Sequence, residues 1–282
     1  MKLTLLVHCP DKTGIIHAVT DFIYKKDGNV IYLDQHVDKQ AKVFFMRLEA
    51  DFDDSFVPGP FQNDFQNALA LSYSMEWSFH LEEKTPKMAI FVSKYRHCLY
   101  DLLSRYRSGE LNVEIPFILS NHQDLESIAQ QFDIPYYHIP ISKESKQEAE
   151  EKQLQLLQDH KIDFIVLARY MQIVSPRLIS SYPNKIINIH HSFLPAFAGA
   201  KPYHAAFKRG VKIIGATSHY VTEALDEGPI IEQDVTTVSH SHSIKDFISK
   251  GRDLEKIVLA RAVALHINHK TMVYNNKTVI FT

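Results

Sequence analysis

The sequence predicts an α/β protein in two parts: an α+β unit of βαββαβ order, then a doubly wound, mostly parallel sheet. Between residues 3 and 81, strand-like alternation and helix-like periodicity succeed one another in that order. From residue 88 onward, short apolar runs recur between amphipathic helices, the pattern of strands covered on both faces. The charged stretch Leu81 to Lys87, with Pro86, separates the two, so the domains are read as 1–84 and 85–282. A chain of 282 residues is long for one typical domain and suits two.

In the first part, Leu3 to His8 is apolar and extended, and Pro10 to Gly14 is a loop signal. Ile16, Val19, Phe22 and Ile23 then recur at helical spacing, with Asp11 or Thr13 as the N-cap and Gly28-Asn29 as the C-cap. Val30 to Val37 and Lys42 to Ala50 alternate as strands about a hairpin at Asp38 to Gln40. A loop with Pro58, Gly59 and Pro60 leads to a helix near Phe65 to Leu71, and Met75 to Leu81 alternates as a last strand.

In the second part, Met88 to Val92, Val113 to Leu119, Phe164 to Ala168 and Ile186 to Ile189 read as buried strands. His97 to Arg107, Leu125 to Phe132, Glu144 to His160 and Tyr203 to Lys208 read as helices. Lys212 to Tyr220 and Ile230 to Thr237 read as later, antiparallel strands. A long helix follows Ser243, with Phe247, Ile248, Leu254, Ile257, Val258, Arg261 and Leu265 marking its phases.

Composition narrows the function classes. Hydrophobic residues make up 45% and charged residues 23%, enough to bury a sizeable core. A net charge of −2 disfavours a nucleic-acid partner, because such binding neutralises phosphates with Lys and Arg. Polybasic segments that attract anionic lipid are also lacking, and the apolar run Met1 to Val7 is too short to cross a bilayer, so no membrane partner is expected. The two cysteines, Cys9 and Cys98, form no paired framework and are read as reduced thiols of a cytoplasmic chain. No two of the nine glycines stand closer than five positions, and neither a dinucleotide GxGxxG nor a Walker A loop is present.

The densest cluster of uncommon residues is Asn188-Ile-His190-His191-Ser192-Phe-Leu-Pro195, with Gly199 beyond. Asn188 and His190 stand two apart at the end of an apolar strand, so their side chains leave one face. At the carboxyl end of a parallel strand, that face opens on a ligand crevice. Asn can donate to a developing oxyanion and His can hold or deliver a proton, a pairing suited to acyl chemistry. Taken on spacing alone, a strand-end cap and a packed core histidine are the commoner reading. Asp226, just before Gly228-Pro229, can orient a water or tune an imidazole, yet alone it reads as a turn aspartate.

Together these elements resemble the folate-dependent formyltransferase superfamily. The resemblance rests on Asn188-Ile-His190…Ser192…Leu194-Pro195 and Gly215…His219…Val221-Thr222…Leu225-Asp226…Gly228-Pro229, with Ala168-Arg-Tyr-Met171-Gln-Ile-Val-Ser-Pro176 as its folate loop. It covers roughly residues 87–282. It implies Asn188, His190 and Asp226 as a catalytic trio. It also implies a pterin cleft made by Arg169, Tyr170, Met171, Gln172, Ile173 and Val174 with Val221, Thr222, Glu223, Ala224 and Leu225. Ile173, Val174 and Val221 equally suit a core.

One departure selects the branch. In the transferases that act on a ribonucleotide amine, the first strand runs into a glycine-rich turn that holds a phosphate. Here the matching segment, Ser93 to Leu99, has no glycine. Side chains there would block the close approach that glycine permits, although Lys94 and Arg96 could still meet a phosphate. The segments HCLYDLL, IHHSFLPAF and GAKPYH resemble the deformylase branch, as does the N-terminal extension. That branch implies hydrolysis of 10-formyltetrahydrofolate to tetrahydrofolate and formate, which serves one-carbon and purine metabolism, with no metal and no separate cofactor.

The N-terminal pattern, Cys9-Pro-Asp11-Lys12-Thr13-Gly14-Ile15 with Gly28-Asn29, resembles an ACT domain. This implies a homo-oligomer paired through sheet edges and an amino-acid effector at Asp11, Lys12, Thr13, Gly14, Ile15 and Asn29, or else dimerisation alone. Three rivals stay open at this point: a formyltransferase with an amine acceptor, an amino-acid sensor carrying an inactive fold, and a metallohydrolase. The last would draw on His190, His191, His240 and His242, but no HExxH-like spacing supports it.

Overall fold

The computed structural model describes residues 1–196 and 202–282. It divides into two compact units, one of Met1–Thr85 with His269–Met272 and Val279–Thr282, the other of Pro86–Asn268 with Val273–Thr278. The division after Thr85 stands one residue from the expected cut. The expected second domain, 85–282, needs correcting at its end, because two C-terminal segments belong to the first unit.

In the first unit, β1 (Lys2–Pro10) leads through α1 (Ile15–Lys25) to β2 (Asn29–Asp38) and β3 (Val43–Asp51). Helix α2 (Pro58–Phe65) continues through a π-helical turn, Gln66–Ala70, into α3 (Leu71–Tyr73), and β4 (Glu76–Leu81) closes the sheet. The strand order is β2-β3-β1-β4, antiparallel throughout. Alternation sends Leu3, Leu5 and Val7 of β1 and Phe44, Met46 and Leu48 of β3 into one core with Ile15, Val19, Phe22 and Ile23. Ile16, expected on that helical face, is instead exposed.

Two local expectations fail for identifiable reasons. The N-cap of α1 is Gly14, in left-handed backbone, and no side chain caps it, so neither Asp11 nor Thr13 plays that part. At the other end, Asp27 takes the left-handed position that Gly28 was expected to fill. The Pro58-Gly59-Pro60 loop is in fact the first turn of α2, where proline's missing N–H is no loss. The opposite sheet face carries the chain's own C-terminal residues. Arg47 Nε donates to the His269 carbonyl at 2.9 Å, the His80 and His269 rings stack with centroids 3.6 Å apart, and the Thr282 amide donates to Asp34 at 3.3 Å.

The second unit opens with β5 (Met88–Val92), α4 (His97–Arg107), β6 (Ile118–Ser120), α5 (Glu126–Gln131), β7 (Tyr136–His138) and α6 (Lys146–Asp159). It continues with β8 (Phe164–Leu167), α7 (Pro176–Ser181), β9 (Ile186–His190), α8 (Pro202–Arg209), β10 (Ile213–Tyr220), β11 (Ile230–Thr237) and α9 (Ile244–Ile267). A hairpin of β12 (Thr271–Tyr274) and β13 (Lys277–Ile280) ends the chain described. The expected strand Val113 to Leu119 is confined to β6, and β7, α7 and the last hairpin have no counterpart in the sequence reading.

The seven strands lie in the order β11-β10-β9-β8-β5-β6-β7. Strands β5 to β9 pair in parallel, and β10 and β11 are antiparallel, as their position after the βα units suggested. From β5 the chain moves to β6 and β7 on one side, then returns through α6 to β8 and β9 on the other. This reversal beside β5 is where open sheets of this kind form a ligand crevice. Helix α9 starts at a capping box, Ser243 with Asp246, and packs on β10 and β11.

Candidate active site

Strand register builds the centre of the site. Asn188 and His190 leave the same face of β9, and the antiparallel neighbour β10 sets His219 directly opposite Asn188. The His219 Nδ1–H donates to the Tyr220 carbonyl at 2.9 Å, because a carbonyl can only accept. Its Nε2 lone pair therefore takes the Asn188 amide N–H at 3.2 Å. The loop after β10 then carries Asp226 back over these residues. Asp226 Oδ2 lies 3.2 Å from His190 Nδ1, and Oδ1 lies 3.6 Å from His219 Nε2.

That loop is drawn tight by steric fit. Asp226 has φ 57°, a left-handed conformation that Asp tolerates better than most residues. At Gly228, an added Cβ would lie 1.8 Å from the Tyr220 carbonyl oxygen, so only glycine fits. The Tyr220 amide bonds the Pro229 carbonyl at 2.9 Å, closing the loop at its base.

The hydrogen bond from His190 holds the Asp226 carboxyl well below the usual carboxylate range, outweighing partial burial, which pushes the other way. Asp226 is therefore an anion throughout the neutral range. With Nδ1–H given to Asp226, His190 keeps its lone pair on Nε2. His190 is 5% exposed, and this Nε2 is buried with no hydrogen-bond partner among the described residues. An unpartnered buried imidazole nitrogen is uncommon in a folded chain and marks a place for a reacting group or its water.

A cleft of about 360 Å³ opens beside these groups. The expected folate-loop residues 169–174 line it, as do Val221, Thr222, Glu223 and Leu225. Ala224 does not line it and is a correction to the expected set. Tyr170 and Val174 are largely core residues, the former accepting a hydrogen bond from Gln153. Met171, Ile173 and Leu225 are 48%, 60% and 62% exposed, an apolar surface suited to the face of a flat ring. Leu167, His191 and His219 also line the cleft, and the sequence reading did not assign them there. His219 was visible only as a motif position; its role depends on register with β9. Gly199, together with Phe197 and the Gly-Ala-Lys of GAKPYH, lies outside the described residues.

Two polar networks support the cleft wall. Ser93 Oγ, just past β5, donates to Asn121 Oδ1 at 2.7 Å and accepts from the Met171 amide at 3.0 Å. Buried Glu255 of α9 gathers His97, Tyr203 and Arg169. Burial pushes the Glu255 carboxyl up, but the hydrogen bond from His97 and the Arg169 charge bring it below its ordinary value. His97, Cys98 and Glu255 form a group with metal-ligand atoms in reach of one another. Its carboxylate already faces the Arg169 cation at 3.3 Å, and burial raises the Cys98 thiol, so the donor set is poorly suited to a dication. Lys94 and Arg96 line a separate cavity of about 500 Å³ with His97 and Arg252.

The six expected effector residues do not come together within one chain. Asp11, Lys12, Thr13 and Gly14 are exposed beside the start of β3, whereas Ile15 is buried in the core. Asn29 pairs with Asp51 at the far end of β3, eight steps from Val43, or roughly 27 Å at about 3.4 Å per residue.

Comparison with known proteins agrees with this architecture. A family model described as formyl transferase matches residues 86–263, and one described as ACT domain matches residues 3–55. Formyltetrahydrofolate deformylase of Synechocystis sp. is 52% identical over 281 residues, covering 100% of this chain and 99% of that protein. The Bacillus subtilis protein of the same name is 45% identical, covering 99% and 94%. A crystal structure of a formyltetrahydrofolate deformylase from Pseudomonas syringae pv. tomato aligns with TM-score 0.97 and 45% identity over 100% of this chain and 95% of that one. Glycinamide ribonucleotide transformylase 1 from Symbiobacterium toebii aligns with TM-score 0.67 and 26% identity, covering 72% of this chain and 98% of its own.

Proposed function

The chain belongs to the formyltetrahydrofolate deformylase family, and we propose that it hydrolyses 10-formyltetrahydrofolate to tetrahydrofolate and formate. The observation that carries this reading is the meeting of Asn188, His190 and Asp226 at one cleft with an apolar wall. The formyl group is a formamide. Water adds to its carbon, the C=O electrons move onto oxygen, and collapse of that tetrahedral species breaks the C–N bond. Asn188 donates to the oxyanion. His190 Nε2 takes the proton of the attacking water and returns it to the departing nitrogen. Asp226 holds His190 in the tautomer that leaves Nε2 free and stabilises the imidazolium once it forms. His219 holds the Asn188 amide in place. The scheme uses neither metal nor cofactor.

Water as acceptor is supported by the segment after β5. Ser93 is buried and bonded to Asn121 and Met171, and it stands where a transferase needs an open glycine turn. A transferase gains its rate by holding an amine in attack geometry, so it is nearly inert without one. The test is formate release from 10-formyltetrahydrofolate with and without glycinamide ribonucleotide. We expect stoichiometric formate, no acceleration by the amine and no effect of a chelator. Amine-dependent turnover with the formyl group recovered on the amine would refute the reading.

The proposal extends to a cytoplasmic homo-oligomer that supplies formate for one-carbon and purine metabolism and responds to an amino acid. Antiparallel pairing of two β2 edges would set Asn29 of one chain at the Asp38 end of another, the end that carries the Asp11 loop. An effector site shared between chains resolves the separation of those residues within one chain.

A further inference from the structure

Three elements converge on Glu255, which is 1% exposed on the inner face of α9. The Nε2–H of His97, at the start of α4, donates to Oε2 at 2.8 Å. The Tyr203 hydroxyl of α8 donates to Oε1 at 2.6 Å. Arg169 Nε, two residues past β8, lies 3.3 Å from Oε2. The ring of Tyr203 reaches the carboxylate only because α9 has no side chain at Gly251, where a Cβ would lie 2.1 Å from Tyr203 Cζ. The packing is therefore built around this carboxylate.

A buried ion pair gains little net stability against apolar residues of the same shape, since both ions must leave water. What it supplies is a fixed arrangement, and here that arrangement ends in the cleft. Arg169 has φ 63°, a backbone state that an arginine seldom adopts unless it is held. Its guanidinium also sits over the Tyr95 ring, 5.0 Å from the centroid. Directly after it run the residues of the cleft wall, tied again at Met171 by Ser93.

We propose that Glu255 is a positioning residue for the cleft: by holding Arg169 it fixes the 169–174 wall without itself touching the substrate. The identity of the ligand rests on the function proposed above; the positioning does not.

The test uses the full chain and Glu255→Gln, which keeps the shape and removes the charge. In the ligand-free variant, amide hydrogen exchange across residues 169–174 is expected to rise above wild type. KM for 10-formyltetrahydrofolate is expected to rise at least about 10-fold with kcat little changed, since a shift of about 1 Å in a positioning group can weaken function by on the order of 10²-fold. The pair Glu255→Gln/Arg169→Met removes both charges, and it should recover thermal stability while KM stays high. Tyr203→Phe removes a single donor and is the milder variant should the first not fold; it too should raise exchange in 169–174. Unchanged exchange in that segment in the folded variants, or a KM that returns with stability in the pair, would overturn the proposal. If wild type neither binds nor turns over 10-formyltetrahydrofolate, the functional reading fails. The exchange result then decides the positioning claim alone, a rise supporting it and no change overturning it.

Discussion

Replacing Asp226 with Asn changes one atom, keeps the volume and removes a charge on which two imidazoles converge at 3.2 and 3.6 Å. Without the carboxylate, nothing fixes the His190 tautomer that leaves Nε2 as the base. Turnover should fall by at least ~10²-fold, the range of positioned acid–base groups, or roughly 2.7 kcal/mol in barrier. A hydrogen bond to a charged group contributes about 1.5–3 kcal/mol. Asp226 is about one-fifth exposed, so we expect a stability loss near the middle of that range, about 2 kcal/mol. For a unit of this size that lowers Tm by about 4–8 °C.

The sign of the pH dependence follows from the depressed folded-state pKa of Asp226. A depressed carboxyl stabilises the fold fully above its unfolded value, about 3.9, and loses that contribution as pH falls through the folded value. The gap between wild type and Asp226→Asn should thus persist at pH 5 and above and narrow below about pH 4. Formate release and thermal melting across this range measure both effects. Turnover within about threefold of wild type would remove Asp226 from the catalytic machinery, on the scale set for acid–base groups. A stability gap that does not narrow between pH 4 and pH 2 would refute the electrostatic account.

Gly228→Ala should disrupt the Asp226 loop, because its Cβ would overlap the Tyr220 carbonyl; a crystal structure with Asp226 displaced and activity lost is the expected result. Ser93→Ala leaves the Met171 amide without its partner, which costs about 1–3 kcal/mol in stability by thermal melting and should raise KM more than it lowers kcat. Calorimetric titration with the common amino acids should reveal an effector that changes substrate affinity by about 1–3 kcal/mol, with reciprocal coupling. No heat and no kinetic change would leave the first unit a dimerisation role alone.

The legible part of this protein follows from local periodicity. Strands β5 and β8 are continuous apolar runs, β9 is apolar but for Asn188 and His190, and helix α4 keeps its phase, so their existence and nearly their limits can be read from the chain. Asn188 and His190 were readable as a pair because two residues of one strand share a face whatever the surroundings. Short elements were not. Strand β7 and helix α7 span three and six residues, too few for a period to show, and each depends on its neighbours. In α9 the burial departs from the expected phase: Arg261 is exposed, whereas Glu255, a residue that composition alone assigns to water, is buried.

Local pattern therefore fixes the order of the longer elements, the two-part division and the residue types able to do acyl chemistry. The tertiary structure alone decided which partners those residues meet. The β9–β10 register sets His219 against Asn188, the tight Gly228 loop brings Asp226 to His190, and the packing of α4, α8 and α9 lets Glu255 stand buried beside Arg169. These contacts join residues from 31 to 158 positions apart, as with Asn188 and His219 or His97 and Glu255. The physical reason is that periodicity is a property of neighbours in sequence, whereas the free energy of a buried charge depends on whatever the fold sets against it.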